Sequence, residues 1–415
     1  MKRRRPPAAH EHRRPARRAP GVCGVALALA LSVFSTPASA DPYRLRADAY
    51  AFGSVPAPAG LVALSGQAKP TSWADGEAAV WLGAGGAYED RIGDVLVANV
   101  RLREPHGWGE LRVGRMLISA GAVRPLQIDG ASVLARVPRG PSLQVFAGAP
   151  VEPGFATRAY DWAAGGRLSQ RIGEYAGLGV SYLQRRNQGR IAFEELGFDA
   201  SLSPARWLDA AADVAVDLLR PAITSGRASV AVRYKLVRFE LFGLRRSPSR
   251  LLPATSLFAA IGDIPSDQVG ATLWVRAAPR LDVWTQGSGD SIAGSLGGRA
   301  SLHATLRLDD RGDGAVGMEL RRSWVPDEAG WTGGRAMLRL PIVHRLRASV
   351  EFELIFPDAP KGRGDVWPWG LVAMAYSPAA APWFDVTAGV EASASPTREA
   401  SVAGILRASA TWEKK

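Results

Sequence analysis

Arginine is the residue type whose placement suggests chemistry in this chain of 415 residues. Arginines recur at alternate positions in short segments, and every second residue of an extended strand shares one face. Guanidinium groups bind carboxylates and phosphates through paired hydrogen bonds. The residues predicted to lie on this charged face are Arg101, Arg103, Arg112, Arg136, Arg233, Arg238, Arg276, Arg307, Arg321, Arg335, Arg339, Arg347, Glu240, Glu319, Glu351 and Glu353.

Two interpretations of this charged face remain open. The arginines and glutamates could pair across neighbouring strands and stiffen a sheet. Arginine also outnumbers acid on the predicted face, so a water-filled space that it lined would concentrate small anions.

Catalytic chemistry has weaker support. Beyond residue 40 the histidines are His106, His303 and His344. Ser301 and His303 would share a face, but they lie two residues apart on one strand without an evident orienting acid. Metal-ligand spacings, phosphate-binding loops and dinucleotide fingerprints are missing from the sequence. We therefore predict a protein that is not an enzyme and has no cofactor, with a hydrolase as a minor alternative.

The elements that position these residues are strands with two different faces. In Arg347–Leu354 apolar and polar residues alternate strictly, and Ser301–Leu308 repeats the pattern. Residues 205–220 fit an alanine-rich helix, but they also alternate cleanly. Alternation with a period of two predicts an all-β protein.

The spacing of short turns makes the prediction more specific. Successive turns lie 31–37 residues apart, with one spacing of 44. Such a repeat holds two strands, a tight turn and a longer loop, which is typical of a large antiparallel transmembrane barrel of about 16–22 strands, with 18 or more preferred. The turns are predicted near Pro70, Pro105, Pro138, Ile172, Pro204, Lys235, Pro279, Asp310, Pro341 and Pro378.

The alternate connections are predicted to be longer and polar. Arg246–Asp267 is the longest of them and is apolar for a loop, so it could fold into the lumen as a constriction or pack over the rim. Strand-like alternation begins close to Asp41, which predicts a barrel without a plug domain. The other loops are predicted at Gly83–Arg91, Arg185–Arg190, Gly287–Asp290, Val325–Gly330 and Asp358–Asp365.

The first forty residues are predicted to be a signal peptide that is cleaved after Ala40. A basic segment, Met1–Arg18, precedes the apolar run Gly21–Val33, which is too short to span a bilayer. Cleavage would leave residues 41–415 as one barrel domain without cysteine, since Cys23 is the single cysteine. The net charge would fall from +12 to +5, which removes most of the argument for a nucleic-acid partner.

Aromatic residues suit the two edges of a membrane. Of thirteen tryptophans, several lie beside predicted turns or loops, where girdles of aromatic residues are expected. They are Trp207, Trp324, Trp331, Trp383 and Trp412.

The last predicted strand, Ser401–Trp412, resembles the C-terminal strand of outer-membrane proteins, which ends in an aromatic residue; here Glu413–Lys415 follow it. The segment Gly109–Arg115, followed by Asp129-Gly130, resembles segments in the sequences of porin-like barrels. The resemblance implies outer-membrane localisation in a Gram-negative cell, contact with outer-membrane lipid and insertion by the barrel-assembly machinery. We expect a channel for passive diffusion of small, preferably anionic solutes; the alternatives are a scaffold barrel without transport and the hydrolase above.

Overall fold

A computed structural model gives the structure of this chain over most of its length. The described residues contain 22 strands and no helix, hence no helix that could cross a membrane. They are residues 42–54, 58–85, 88–138, 140–151, 161–246, 266–292, 294–310, 312–324, 330–343, 345–359, 365–395 and 398–414. The predicted signal peptide, His344 and residues 247–265 of the predicted long loop lie outside them.

The strands follow one another with short connections at one end. They are β1 Tyr43–Ser54, β2 Ala59–Ala68, β3 Ala74–Gly85, β4 Tyr88–Arg103, β5 Gly109–Ile118, β6 Leu126–Arg136, β7 Pro141–Pro150, β8 Trp162–Ile172, β9 Ala176–Asn187, β10 Arg190–Ala205, β11 Leu208–Asp217, β12 Ala222–Tyr234, β13 Val237–Arg246, β14 Ser266–Ala278, β15 Leu281–Ile292, β16 Ser295–Arg307, β17 Ala315–Trp324, β18 Trp331–Val343, β19 Leu346–Pro357, β20 Trp367–Tyr376, β21 Phe384–Ser395 and β22 Arg398–Lys414.

The sheet is a closed antiparallel barrel. Each strand pairs with its neighbours in sequence, and β22 pairs with β1 from Tyr43↔Lys414 to Ser54↔Ala403. Closure leaves no sheet edge, which a bilayer requires because lipid cannot hydrogen-bond to the backbone. Strands about 4.8 Å apart and tilted by about 40° give a barrel roughly 40 Å across between backbones. The prediction of a large all-β barrel is confirmed, with a strand number at the top of the predicted range.

Three parts of the predicted loop pattern differ from the structure. The predicted loops Gly83–Arg91 and Arg185–Arg190 lie mostly in strands, because β3 and β4 are separated by residues 86–87 and β9 and β10 by residues 188–189. Pro204 and Pro341 lie near the ends of β10 and β18 rather than in the turns that follow. Gly287–Asp290 was wrongly predicted as a loop, because these residues pair with both β14 and β16. Glycine and aspartate favour turns, but they are also tolerated in a barrel wall whose inner face meets water. Residues 205–220 contain β11, so the strand interpretation is confirmed.

The two faces of the barrel have opposite chemistry. Leu82, Val269, Leu296 and Met318 are 63%, 71%, 79% and 60% exposed and lie on one face. Residues directly opposite each other on neighbouring strands share a face. The register therefore shows that the same face is apolar from strand to strand around the barrel. It is the outer face that lipid would cover, and the alternate residues form the inner face.

The wall between β4 and β5 is irregular. Only Ala98–Arg103 of the 16-residue strand β4 pairs with β5. Beyond this point the Arg115 guanidinium donates to the Val95 carbonyl oxygen at 2.8 Å, and the Gln127 amide donates to that of Leu96 at 2.5 Å. Side chains therefore satisfy carbonyl groups that the ladder leaves unpaired, as a wall that faces lipid requires.

Candidate functional site

The register places all sixteen residues of the predicted charged face on the inner face. In the strand register, Arg101 lies directly opposite Arg112, Arg233 opposite Arg238, and Arg335 opposite Glu353. Opposite residues share a face, so each pair faces the lumen. Each of these residues alternates with exposed apolar residues of its own strand. The sixteen positions extend from β4 to β19, so the charged wall is distributed around the lumen rather than gathered at one point.

Nine of the twelve predicted arginines form ion pairs on this face. Arg238 reaches Glu240 at 2.7 Å, Arg321 reaches Glu353 at 2.5 Å, and Arg335 pairs with Glu351. The six others are Arg101, Arg103, Arg112, Arg233, Arg276 and Arg307. Ion pairs within and between strands therefore neutralise much of the arginine charge, and a simple count of arginines overstates the electrostatic field of the lumen.

A positive surplus remains at the barrel end with the short turns. Arg276 and Arg307 share one carboxylate, Asp282, at 3.3 and 3.4 Å. Arg136 and Arg339 donate to the carbonyl oxygens of Gly107 and Gly312, which carry no formal charge. Arg347 has no ion pair with any residue that the structure describes. These arginines mark the lumen mouth at this end.

Tryptophans also face the lumen. Trp331 pairs with Ser323 on the inner face, rather than contributing to a lipid-facing girdle as predicted. The Arg321 guanidinium lies 5.6 Å from its ring centroid, and the Arg335 guanidinium lies 5.4 Å from the ring of Trp369. In contrast, Trp207 is 55% exposed in a short turn, where a girdle is expected.

His303 contacts an aromatic ring and a carboxyl group. Its ring stacks on Trp284 with a centroid distance of 3.6 Å and an interplanar angle of 9°. Its Nε2 atom lies 3.2 Å from a carboxylate oxygen of Glu319, an acid that was not evident from the sequence. Among the described residues, the Ser301 side chain makes no hydrogen bond to His303. No cluster of His, Cys, Asp and Glu within the described residues could hold a metal ion.

One part of the inner face is apolar. Met116, Ile128 and Leu183 are fully buried, and Phe146 and Phe193 are 5% and 9% exposed. They belong to β5, β6, β7, β9 and β10, so the cluster covers the wall from β5 to β10. Burying each such side chain contributes roughly 1.5–3 kcal/mol, which is enough to hold a covering segment in place.

The covering segment is the β5–β6 connection, residues 119–125, called here the inward segment. Its backbone N–H at Arg124 donates to Oε2 of Glu195 at 2.9 Å, and the Thr224 hydroxyl donates to Oε1 at 2.8 Å. Glu195 lies on β10 and is 2% exposed, while Val123 is 3% exposed. The segment therefore crosses the lumen side of the three intervening strands, β7–β9, and is anchored on β10 beyond them.

Charge and backbone conformation add to this anchor. Gly121 has φ of 64°, a conformation that glycine adopts without strain. A Cβ atom at this position would lie 2.5 Å from the carboxylate of Asp199, which pairs with Arg167. The guanidinium groups of Arg124 and Arg185 lie 4.4 and 4.6 Å from the centroid of the Phe193 ring. The inward segment thus lies directly against charged residues of β8–β10.

The inward segment was not predicted from the sequence, whose apolar residues placed a possible constriction in Arg246–Asp267 instead. A usable signal was present, because Met116, Ile118, Leu126 and Ile128 are apolar residues at inner-face positions. In a barrel with a wet lumen, four such residues flanking one connection indicate that the connection covers them.

Two carboxyl groups outside the strands are perturbed by neighbours. A hydrogen bond with the His106 ring, 2.5 Å from Oε1, holds the pKa of Glu104 below its ordinary value. The Arg322 guanidinium lowers the pKa of Asp358 in the same way. Both carboxyl groups lie at the ends of strands, where the side chains meet water.

Solved structures share this fold. The translocation pore of the P pilus usher PapC matches at 10% identity with a TM-score of 0.53, covering 89% of this chain and 99% of that one. The unliganded ferric citrate transporter FecA matches at 8% identity with a TM-score of 0.55, covering 91% and 80%. OpdK of Pseudomonas aeruginosa, solved with vanillate, matches at 14% identity with a TM-score of 0.40, covering 90% and 98%.

No protein-family model matches the sequence, and a search among curated proteins finds no match. The similarity to solved structures, at this level of identity, is one of fold. The chain has the fold of outer-membrane β-barrel proteins, as predicted.

Proposed function

We propose that this protein is an outer-membrane channel for the passive diffusion of small solutes, with a preference for anions. The observation that carries the proposal is the closed barrel itself, with an apolar outer face and a charged inner face on strand after strand. A wet, charged lumen roughly 40 Å across between backbones leaves room for solutes beside the inward segment. The absence of a plug domain is part of the proposal.

Export and insertion belong to the same proposal. A signal peptide cleaved after Ala40 would deliver the chain across the inner membrane, and the assembly machinery would recognise its last strand. The similarity in fold to outer-membrane proteins supports this location. The outer face supports lipid as the surrounding medium, since its exposed residues are predominantly apolar.

Anion preference rests on the arginines at the mouth with the short turns. Arg136, Arg339 and Arg347 have no carboxylate partner among the described residues, and Arg276 and Arg307 share one. Unneutralised positive charge at a mouth raises the local concentration of anions and their rate of entry. The effect should weaken as salt screens these exposed charges.

Reversal potentials across planar bilayers with a potassium chloride gradient test the preference. We expect the channel to select chloride, and the triple variant Arg136→Gln, Arg339→Gln and Arg347→Gln to lose most of that selectivity. The double variant Arg335→Gln and Glu351→Gln is the matched control, because it removes one ion pair without changing net charge. Cation preference in the unmodified protein, or equal loss in the control, would contradict the proposed origin of selectivity.

A further inference from the structure

A recess in the lumen wall lies outside the features that the channel proposal uses. It measures about 360 Å³ and extends over β14–β18, from the middle of β16 to the end of β17 and the start of β18. Trp284 and Trp331 contribute its aromatic surfaces, while Gln286, Ser288 and Ser301 contribute amide and hydroxyl groups. This volume is at the lower end of the range for small-molecule sites.

Each tryptophan has one face occupied by a neighbour. The His303 ring stacks on Trp284, and the Arg321 guanidinium lies over Trp331. A ligand could therefore stack against one side of either ring but could not be enclosed between two aromatic faces. The rest of the lining would offer it hydrogen bonds rather than apolar contact.

Charge in the recess comes from Arg299, Arg321, Arg322 and Glu319. Glu319 pairs with Arg321, and Arg322 pairs with Asp358, so Arg299 is the most exposed of these charged groups. Arg299 lies 3.2 Å from Asp290, yet its side chain is 62% exposed, whereas Asp290 is 13% exposed. Its guanidinium can therefore reach a second anionic group without leaving its partner. Bidentate binding of a carboxylate or phosphate is the contact that a guanidinium makes best.

We propose that this recess binds the ring of an acidic sugar. The apolar face of the sugar ring stacks on Trp331, its hydroxyl groups bond to the amide and hydroxyl side chains, and its anionic group contacts Arg299. The inference rests on the proposed channel, since a solute must enter the lumen to reach the recess. The inference goes beyond simple diffusion, because it assigns the lumen wall a binding site for one class of solute.

Calorimetric titration of the purified barrel in detergent micelles tests the site with three probes: glucuronate, glucose and benzoate. We expect glucuronate to bind more tightly than glucose, and benzoate to bind weakly. Arg299→Gln should weaken glucuronate binding roughly tenfold and leave glucose unchanged, because it removes one charge-assisted contact. Trp331→Leu should weaken both sugars by about the same factor, because it removes the stacking surface.

The controls are a tryptophan and an arginine outside the recess. Trp369→Leu and Arg112→Gln also change lumen residues, and neither should alter sugar binding. The heat-dependent gel mobility of folded barrels verifies that each variant is assembled. Benzoate binding more tightly than glucuronate, no sugar binding at all, or an equal effect of the controls would overturn the assignment.

Conductance of the same preparations separates the two proposals. A conducting barrel without sugar binding overturns the recess and leaves the channel. A barrel that binds glucuronate as described but conducts no ions overturns the channel and leaves the recess.

Discussion

Removing the anchor of the inward segment should expose Val123 to reagents in the lumen. This residue is 3% exposed because the segment is tucked against β10. Two hydrogen bonds to the buried carboxyl group of Glu195 hold the segment and the adjoining wall, one from the Arg124 backbone and one from the Thr224 hydroxyl. Glu195→Ala removes both bonds, while Thr224→Val removes only the second at nearly constant volume.

The size of the effect follows from which bond is lost. A buried hydrogen bond to a charged group contributes about 1.5–3 kcal/mol. Glu195→Ala should therefore raise the exposed population of the segment roughly tenfold to a hundredfold, because the Arg124 N–H loses its acceptor. Thr224→Val breaks a bond within the wall and leaves the Arg124 bond in place, so it should change this population far less and serves as the control.

Thiol labelling measures that population directly. In a Cys23→Ser background, Val123→Cys supplies a single cysteine, whose reaction with a membrane-impermeant reagent reports how often the segment opens. Thr387→Cys, on the inner face of β21, calibrates the reagent. If Val123→Cys, without an anchor variant, is labelled as fast as Thr387→Cys, the inward segment does not lie against β10. Unchanged labelling in Glu195→Ala, or an equal increase in Thr224→Val, would refute the role of Glu195.

The wall and the turns give three further predictions. Arg115→Leu should destabilise the barrel by about 3–5 kcal/mol, because the Val95 carbonyl loses its donor and the carboxylates of Asp94 and Asp129 lose their ion-pair partner. Denaturant-dependent gel mobility measures the change, and an unchanged midpoint would contradict the role of Arg115. Gly148→Val should prevent assembly, since its Cβ would meet the backbone of β6 at 2.5 Å; a folded, heat-modifiable variant would contradict this close approach. His106→Ala should raise the pKa of Glu104 towards its ordinary value, because the ring hydrogen bond is lost while the backbone N–H groups of residues 106 and 108 still donate to the carboxyl group. The lowered pKa means that the ring contact stabilises the turn fully above the ordinary pKa, and that this stabilisation is lost as pH falls through the lowered value. Carbon-13 NMR of the carboxyl group measures the change, and an unshifted titration would show that the histidine is not its cause.

Sequence alone predicted the barrel because period-two alternation assigns each residue a face. In β19 the alternation of Glu351 and Glu353 with Val350 and Phe352 requires one charged and one apolar face, whichever strands lie beside it. The number of recurrent turns then gives the number of hairpins, and so the number of strands. The same reasoning failed at Gly287–Asp290, where turn-forming residues lie within a strand because the water-facing side of the wall tolerates them.

The ion pairing of the lumen could not be predicted in this way. Arg276 and Arg307 lie on different strands, and only the register shows that they share Asp282. The position of the inward segment likewise depends on contacts with Glu195, seventy-one residues from Arg124. Alternation gives the face of a residue, whereas charge balance and constriction depend on which faces meet across the lumen.

Single-channel recording of the purified mature protein tests the central claim most directly. An open barrel reconstituted in a planar bilayer should give discrete, stable current steps that grow in proportion to salt concentration, with a reversal potential on the chloride side. A correctly folded, heat-modifiable barrel that inserts into the bilayer and passes no current would contradict the account of this protein as a channel.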